Sequence, residues 1–135
     1  GARITALHVI EDISPGNAAL VDAYLREGER QKFFEQSKAF VTQQLQGRFQ
    51  ALCEKEYPDD PDCLERLLSI EVSSGYPAEV ILEKAKALDS DLIVMGTHGK
   101  GFISQTFLGS MAKRVLARTR RPVFIVPLPK ETPAA

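Results

Sequence analysis

The residues most able to do chemistry lie between Met95 and Ser110 in this 135-residue chain. They read Met95-Gly96-Thr97-His98-Gly99-Lys100-Gly101, then Phe102 to Leu108, then Gly109-Ser110. Glycines at Gly96, Gly99 and Gly109 let a backbone approach a phosphate with no Cβ in the way. A helix opening at Gly109-Ser110 turns unpaired N–H groups and the positive end of its dipole toward an anion. The Ser110 hydroxyl adds a donor, and Lys100 adds a mobile positive charge. The spacing is not a Walker A loop, because no Gly-Lys-Ser/Thr closes it. It is not a dinucleotide fingerprint either, because it follows a late strand with the wrong glycine spacing. Two readings stand side by side at this point: a phosphate or nucleotide site, and a glycine-rich connection that merely turns.

Four apolar runs supply the strands that position this segment: Ile4–Ile10, Leu67–Val72, Leu92–Met95 and Val123–Val126. The last two are continuous Val, Ile, Leu, Met and Phe, the pattern of strands covered on both faces. Helical patterns alternate with them. A short helix is expected near Asn17–Glu27 and a longer one near Glu29–Glu56, split by Gly28 and ended by Pro58 and Pro61. Within the longer one, Phe33, Phe34, Val41, Leu45, Phe49 and Leu52 recur at helical spacing. Pro77 suits the first turn of a helix over Ala78–Leu88, with Ile81, Ala85 and Leu88 as its stripe. Ser110 is expected to cap a last helix reaching about Thr119, with Ala112, Val115 and Leu116 inward. Alternating strands and helices predict an α/β fold: an open, mainly parallel sheet with helices on both faces.

Composition narrows the classes further. Net charge is −1, with 44% hydrophobic and 26% charged residues, the balance of one globular domain. The expected domain is 1–128, with a frayed tail over 129–135. No apolar run is long enough to span a bilayer. The small acidic excess argues against nucleic acid as the main partner, and Lys113, Arg114, Arg118, Arg120 and Arg121 read as cations offsetting a helix dipole. Asp59-Asp60-Pro61-Asp62 reads as a solvated turn. Cys53 and Cys63 read as reduced thiols of a cytoplasmic protein, with a disulfide across the acidic turn as the alternative. His8 reads as a packing histidine. His98 has no carboxylate or cysteine nearby in sequence, so a backbone or ribose contact is favoured over a general base. Ser104 and Ser110 need no role as phosphorylation sites. No catalytic residue and no metal site is assigned.

The chain resembles the universal stress protein family over nearly its whole length. Leu7-His8-Val9-Ile10 is similar to the family's second strand. Tyr76-Pro77-Ala78-Glu79-Val80-Ile81 is similar to the start of its third helix. Asp89-Ser90-Asp91-Leu92-Ile93-Val94-Met95-Gly96-Thr97-His98-Gly99 resembles its fourth strand and loop, and Arg121-Pro122-Val123-Phe124-Ile125-Val126-Pro127 its last strand. The G-x2-G-x9-G-S/T motif of the ATP-binding branch is kept at Gly96, Gly99, Gly109 and Ser110.

The resemblance implies a Rossmann-like, adenine-nucleotide alpha-hydrolase-like fold that binds ATP or AMP, with Mg²⁺ bridging phosphates, and hydrolyses slowly if at all. The backbone at Gly96, His98 and Gly99 would surround ribose and phosphates. Gly109, Ser110, Met111 and Ala112 would hold phosphates at the helix start, beneath Lys100. Val9 and Met95 would border the adenine. Val123–Val126 would pair with a second subunit in a homodimer. The family's opening strand and helix, with an acidic residue at the adenine end, have no counterpart here, and Asp12 is not its equivalent. A preceding segment, a strand from another chain and a rearranged sheet are the three explanations. A nucleotide-independent dimeric scaffold is the alternative function. An adenylating enzyme is weaker, since its phosphate loop directly follows a first strand.

Overall fold

Parallel strands and the helices between them form the molecule, as the alternating pattern predicts. The computed structural model describes residues 2–11, 17, 19, 20, 23, 26–97 and 108–127. The residues fall into two compact units, Gly1–Gly75 and Tyr76–Ala135.

In the first unit, β1 (Ile4–Glu11) pairs in parallel with β2 (Leu68–Gly75), with Ile4 opposite Leu68 and Glu11 opposite Gly75. Facing hydroxyls of Thr5 and Ser69 hydrogen-bond at 2.8 Å across this ladder. The connection carries α1 (Glu27–Glu56) and a short α2 (Cys63–Leu67) that the sequence pattern did not show. α1 starts where the Glu29 carboxylate accepts the Arg26 N–H at 3.0 Å. It ends as the Tyr57 N–H reaches back to the Cys53 carbonyl, one residue before Pro58. Phe34, Val41, Leu45, Phe49 and Cys53 are its half-buried stripe, whereas Phe33 and Leu52 are exposed. His8 is exposed too, rather than packed. β2 closes at Gly75, whose φ of 137° is a conformation L side chains rarely adopt.

The helix runs through both Gly28 and Gly47 without a break. Once a helix is nucleated, each added residue gains a bond, and one glycine does not stop it. Neither glycine has any heavy atom within 4 Å of where a Cβ would stand. Gly47→Ala is therefore expected to stabilise the protein by about 0.5–1 kcal/mol, through unfolded-state entropy and helix propensity. Urea denaturation checks this: the midpoint rises and the slope stays constant.

In the second unit, α3 (Pro77–Ala87) precedes β3 (Ile93–Gly96), and α4 (Ser110–Arg118) precedes β4 (Val123–Val126). β3 and β4 pair in parallel from Ile93–Val123 to Gly96–Val126. Ala78, Ala85, Ile93 and Val115 form the core, with Ile81, Leu82, Met95 and Val123 packed on it. The α3 stripe is thus 78, 81, 82 and 85, at helical spacing. Leu88 and Leu116, both expected inward, are exposed. Val94 and Phe124, opposite each other in the ladder, are 61% and 60% exposed, while Ile93, Met95 and Val123 beside them join the core cluster. Strand alternation explains this, since consecutive side chains face opposite ways.

α3 ends in a Schellman motif. The Ser90 N–H donates to the Ala85 carbonyl and the Asp89 N–H to the Lys86 carbonyl, with Asp89 at φ 49°. Arg121 fastens this turn to the start of β4. Its Nη1 donates to the Ser90 carbonyl at 2.7 Å, and its Nη2 meets Asp89 Oδ1 at 2.8 Å. Its own N–H donates to Thr119 Oγ1. Arg121, read from sequence as one of several dipole-offsetting cations, is instead a planar fork between two loops. Arg121→Ala is expected to cost about 1–2 kcal/mol, and Arg121→Lys rather less because charge survives without the fork. Denaturation midpoints of the two variants should rank in that order.

Candidate functional site

The two halves of the glycine pattern converge although twelve residues separate Gly96 from Gly109. Gly96 is the last residue of β3, opposite Val126. The ladder continues one bond further, as the Thr97 N–H donates to the Val126 carbonyl at 3.1 Å. Thr97 then accepts on its own carbonyl from the Gly109 N–H at 2.7 Å. That bond brings the start of α4 to the carboxyl end of β3, the position where open α/β sheets take ligands.

Gly109 is the N-cap of α4, with φ −66° and ψ 159° and no side-chain cap bond. Ser110 was expected to be the cap; it is the first helical residue instead. The Gly109 carbonyl accepts the Lys113 N–H, the first regular turn of the helix. The N–H groups of Ser110, Met111 and Ala112 belong to the first turn, where no intrahelical acceptor exists. No acidic residue stands in that turn, so the dipole is not offset by a carboxylate there. Ser110 and Met111 are exposed, while Ala112 and Gly109 are buried. The helix start is therefore anchored by Ala112 and Val115 while its first residues meet solvent.

Of the remaining sequence-nominated residues, Met95 is half-buried and packs on the core cluster. Val9 is half-buried in β1, opposite Ser73 in the first unit. His98, Gly99 and Lys100 lie outside the described residues, as does Ser104. The site feature that sequence reasoning missed is Thr97: its peptide bonds both to β4 and to Gly109, and nothing in its type signals that.

Donors without an acidic neighbour, on a backbone bare of a Cβ at Gly109, can receive an anion. Among the described residues no helix is long and apolar enough to cross a membrane.

Comparison with known proteins agrees with this architecture. The family model described as the universal stress protein family matches residues 1–127. A universal stress protein of Methanocaldococcus jannaschii, MJ0531, is 44% identical over 61 residues, which cover 45% of this chain and 36% of that protein. A Mycolicibacterium smegmatis universal stress protein is 29% identical over 126 residues, 93% of this chain and 36% of its own. The matched stretches thus span little more than a third of either relative. Two solved structures are similar in fold. The hypothetical protein PH0823 has TM-score 0.66 at 25% identity, covering 96% of this chain and 77% of its own. MJ0577 has TM-score 0.61 at 22% identity, covering 96% and 78%. The fold is the Rossmann-like α/β fold of those proteins, and the chain belongs to the universal stress protein family.

Proposed function

We propose that this chain is an adenine-nucleotide-binding regulatory module, with the phosphates held at the Gly96–Ser110 connection. The observation that carries the reading is the 2.7 Å bond from the Gly109 N–H to the Thr97 carbonyl, which joins both halves of the motif at one strand end. The residues suit the group: the first-turn N–H groups of Ser110, Met111 and Ala112 can donate, and Gly109 puts no Cβ beside them. ATP is the favoured nucleotide, with AMP as the smaller alternative, and Mg²⁺ would neutralise charge between phosphates. Met95 would border the base, and His98, Gly99 and Lys100 would complete the loop. A site built mainly of backbone N–H groups and glycines, with Lys100 as its charged side chain, offers little transition-state charge stabilisation, so turnover is slow or absent. Pairing of Val123–Val126 across a homodimer and a cytoplasmic location belong to the same proposal.

The test is thermal unfolding with and without saturating Mg-ATP. A ligand at 100 times its Kd adds about 2.7 kcal/mol to the native state, a rise of roughly 5–10 °C for a chain of this size. A midpoint that does not move with ATP or AMP overturns the proposal in favour of a nucleotide-independent scaffold.

A further inference from the structure

Cys53 and Cys63 are joined by a disulfide, not left as the reduced thiols that the sequence favoured. The bond links the last turn of α1 to the first residue of α2, with Cα atoms 6.0 Å apart. The first unit has a small core. Among the described residues its buried apolar side chains are Cys63 and Val72. α1 packs on β2, and α2 runs into β2 with no intervening residue. A link at this joint therefore bears on a large share of what holds α1 in place.

The turn between the cysteines also carries its own backbone hydrogen bonds. The Tyr57 N–H donates to the Cys53 carbonyl, the Asp60 N–H to the Tyr57 carbonyl, and the Cys63 N–H to the Asp60 carbonyl. These backbone hydrogen bonds span the same turn as the disulfide and are made by peptide groups rather than by the sulfurs. The sulfurs differ in access: Cys63 is 2% exposed, Cys53 is half-buried, and the turn beside them at Tyr57 and Asp59 is exposed.

From these observations we propose that Cys53 and Cys63 form a reversible dithiol–disulfide couple that sets the local stability of the first unit. It stands apart from the nucleotide reading. A low-molecular-weight disulfide, RSSR, is the oxidant. The Cys53 thiolate attacks one of its sulfurs, forming a mixed disulfide and expelling RS⁻. The Cys63 thiolate then attacks Cys53 Sγ, forming the protein disulfide and expelling the second RS⁻. Two protein thiols lose two protons and two electrons, and RSSR becomes two RSH. Reduction reverses both steps, with the reagent thiolate entering at Cys53. Oxidation clasps α1 to α2, and reduction loosens the last turns of α1.

The test equilibrates the native chain in glutathione buffers of stepped ratio. Trapped thiols are counted by mass after alkylation, and trypsin cleavage after Lys55 is timed on the same samples. The count is expected to pass between zero and two with both cysteines changing together. The reduced chain is expected to be cut roughly ten- to a hundredfold faster, from the loop constraint released. Cys53→Ser should be cut at the reduced rate in every buffer. A pair that opens only after denaturation, thiols that stay open in oxidised glutathione, or a cleavage rate that ignores the redox state would each overturn the proposal. A Cys53→Ser chain whose cleavage still followed the glutathione ratio would do so as well.

Discussion

Val115→Asp is expected to unfold the second unit, while Leu116→Asp, one residue further along the same helix, leaves it folded. Val115 is fully buried and sits against Ala78, Ala85 and Ile93, with Ile81, Leu82, Met95 and Val123 around that cluster. These residues offer a carboxylate neither a hydrogen-bond donor from a side chain nor a countercharge. Burying an unpaired charge costs several kcal/mol even after relaxation, which is on the order of the whole stability of a small protein. Leu116 is 40% exposed, so an aspartate there remains hydrated and costs about 1 kcal/mol or less. Val115→Ala separates packing from charge, with an expected loss of about 2 kcal/mol from transfer and cavity terms. Far-UV circular dichroism and urea denaturation of the three variants give the comparison. If Val115→Asp kept a cooperative transition near the parent midpoint, this core would be misassigned.

The same helix shows where sequence reading works and where it stops. Ala112 and Val115 at i, i+3 were legible as inward positions because a short amphipathic helix has little choice of face. Leu116 was not, since i+4 from Ala112 fits the stripe equally well and only the width of the buried arc decides. The strands were legible as apolar runs, but a continuous run carries no parity. Nothing in Val123-Phe124-Ile125-Val126 says that Phe124 faces out. Gly28 looked like a break because propensity is local, whereas a thirty-residue helix is cooperative. The disulfide turned on whether two proline-bearing turns fold Cys63 back to Cys53, which spacing alone leaves open. Arg121 was legible as a cation but not as a fork, because its partners lie 31 and 32 residues away. The glycine motif itself was plain, and the cap shifted by one residue because Gly109 and Ser110 both suit it.

That one-residue shift makes Gly109→Asp a sharp probe of the site. Gly109 is the N-cap, and aspartate is among the best residues there, accepting an N–H of the first turn. Its φ of −66° is open to any L residue, so the backbone need not change. A carboxylate at this position also offsets the helix dipole favourably. Gly109 is buried, so burial of the new side chain offsets part of that capping gain, and a thermal midpoint close to the parent's is expected. Nucleotide binding should fall. The carboxylate would occupy the donors that the proposal assigns to a phosphate and repel the phosphate charge. At about 4 Å and an effective dielectric near 20, that repulsion is about 4 kcal/mol, enough for a loss on the order of a hundredfold or more. Gly109→Ala separates size from charge: it fills the same space without a competing acceptor and should weaken binding less. Isothermal titration calorimetry with Mg-ATP, beside melting curves for all three proteins, reads both quantities. An unchanged ATP affinity in a stable Gly109→Asp protein would move the phosphate site away from the start of α4.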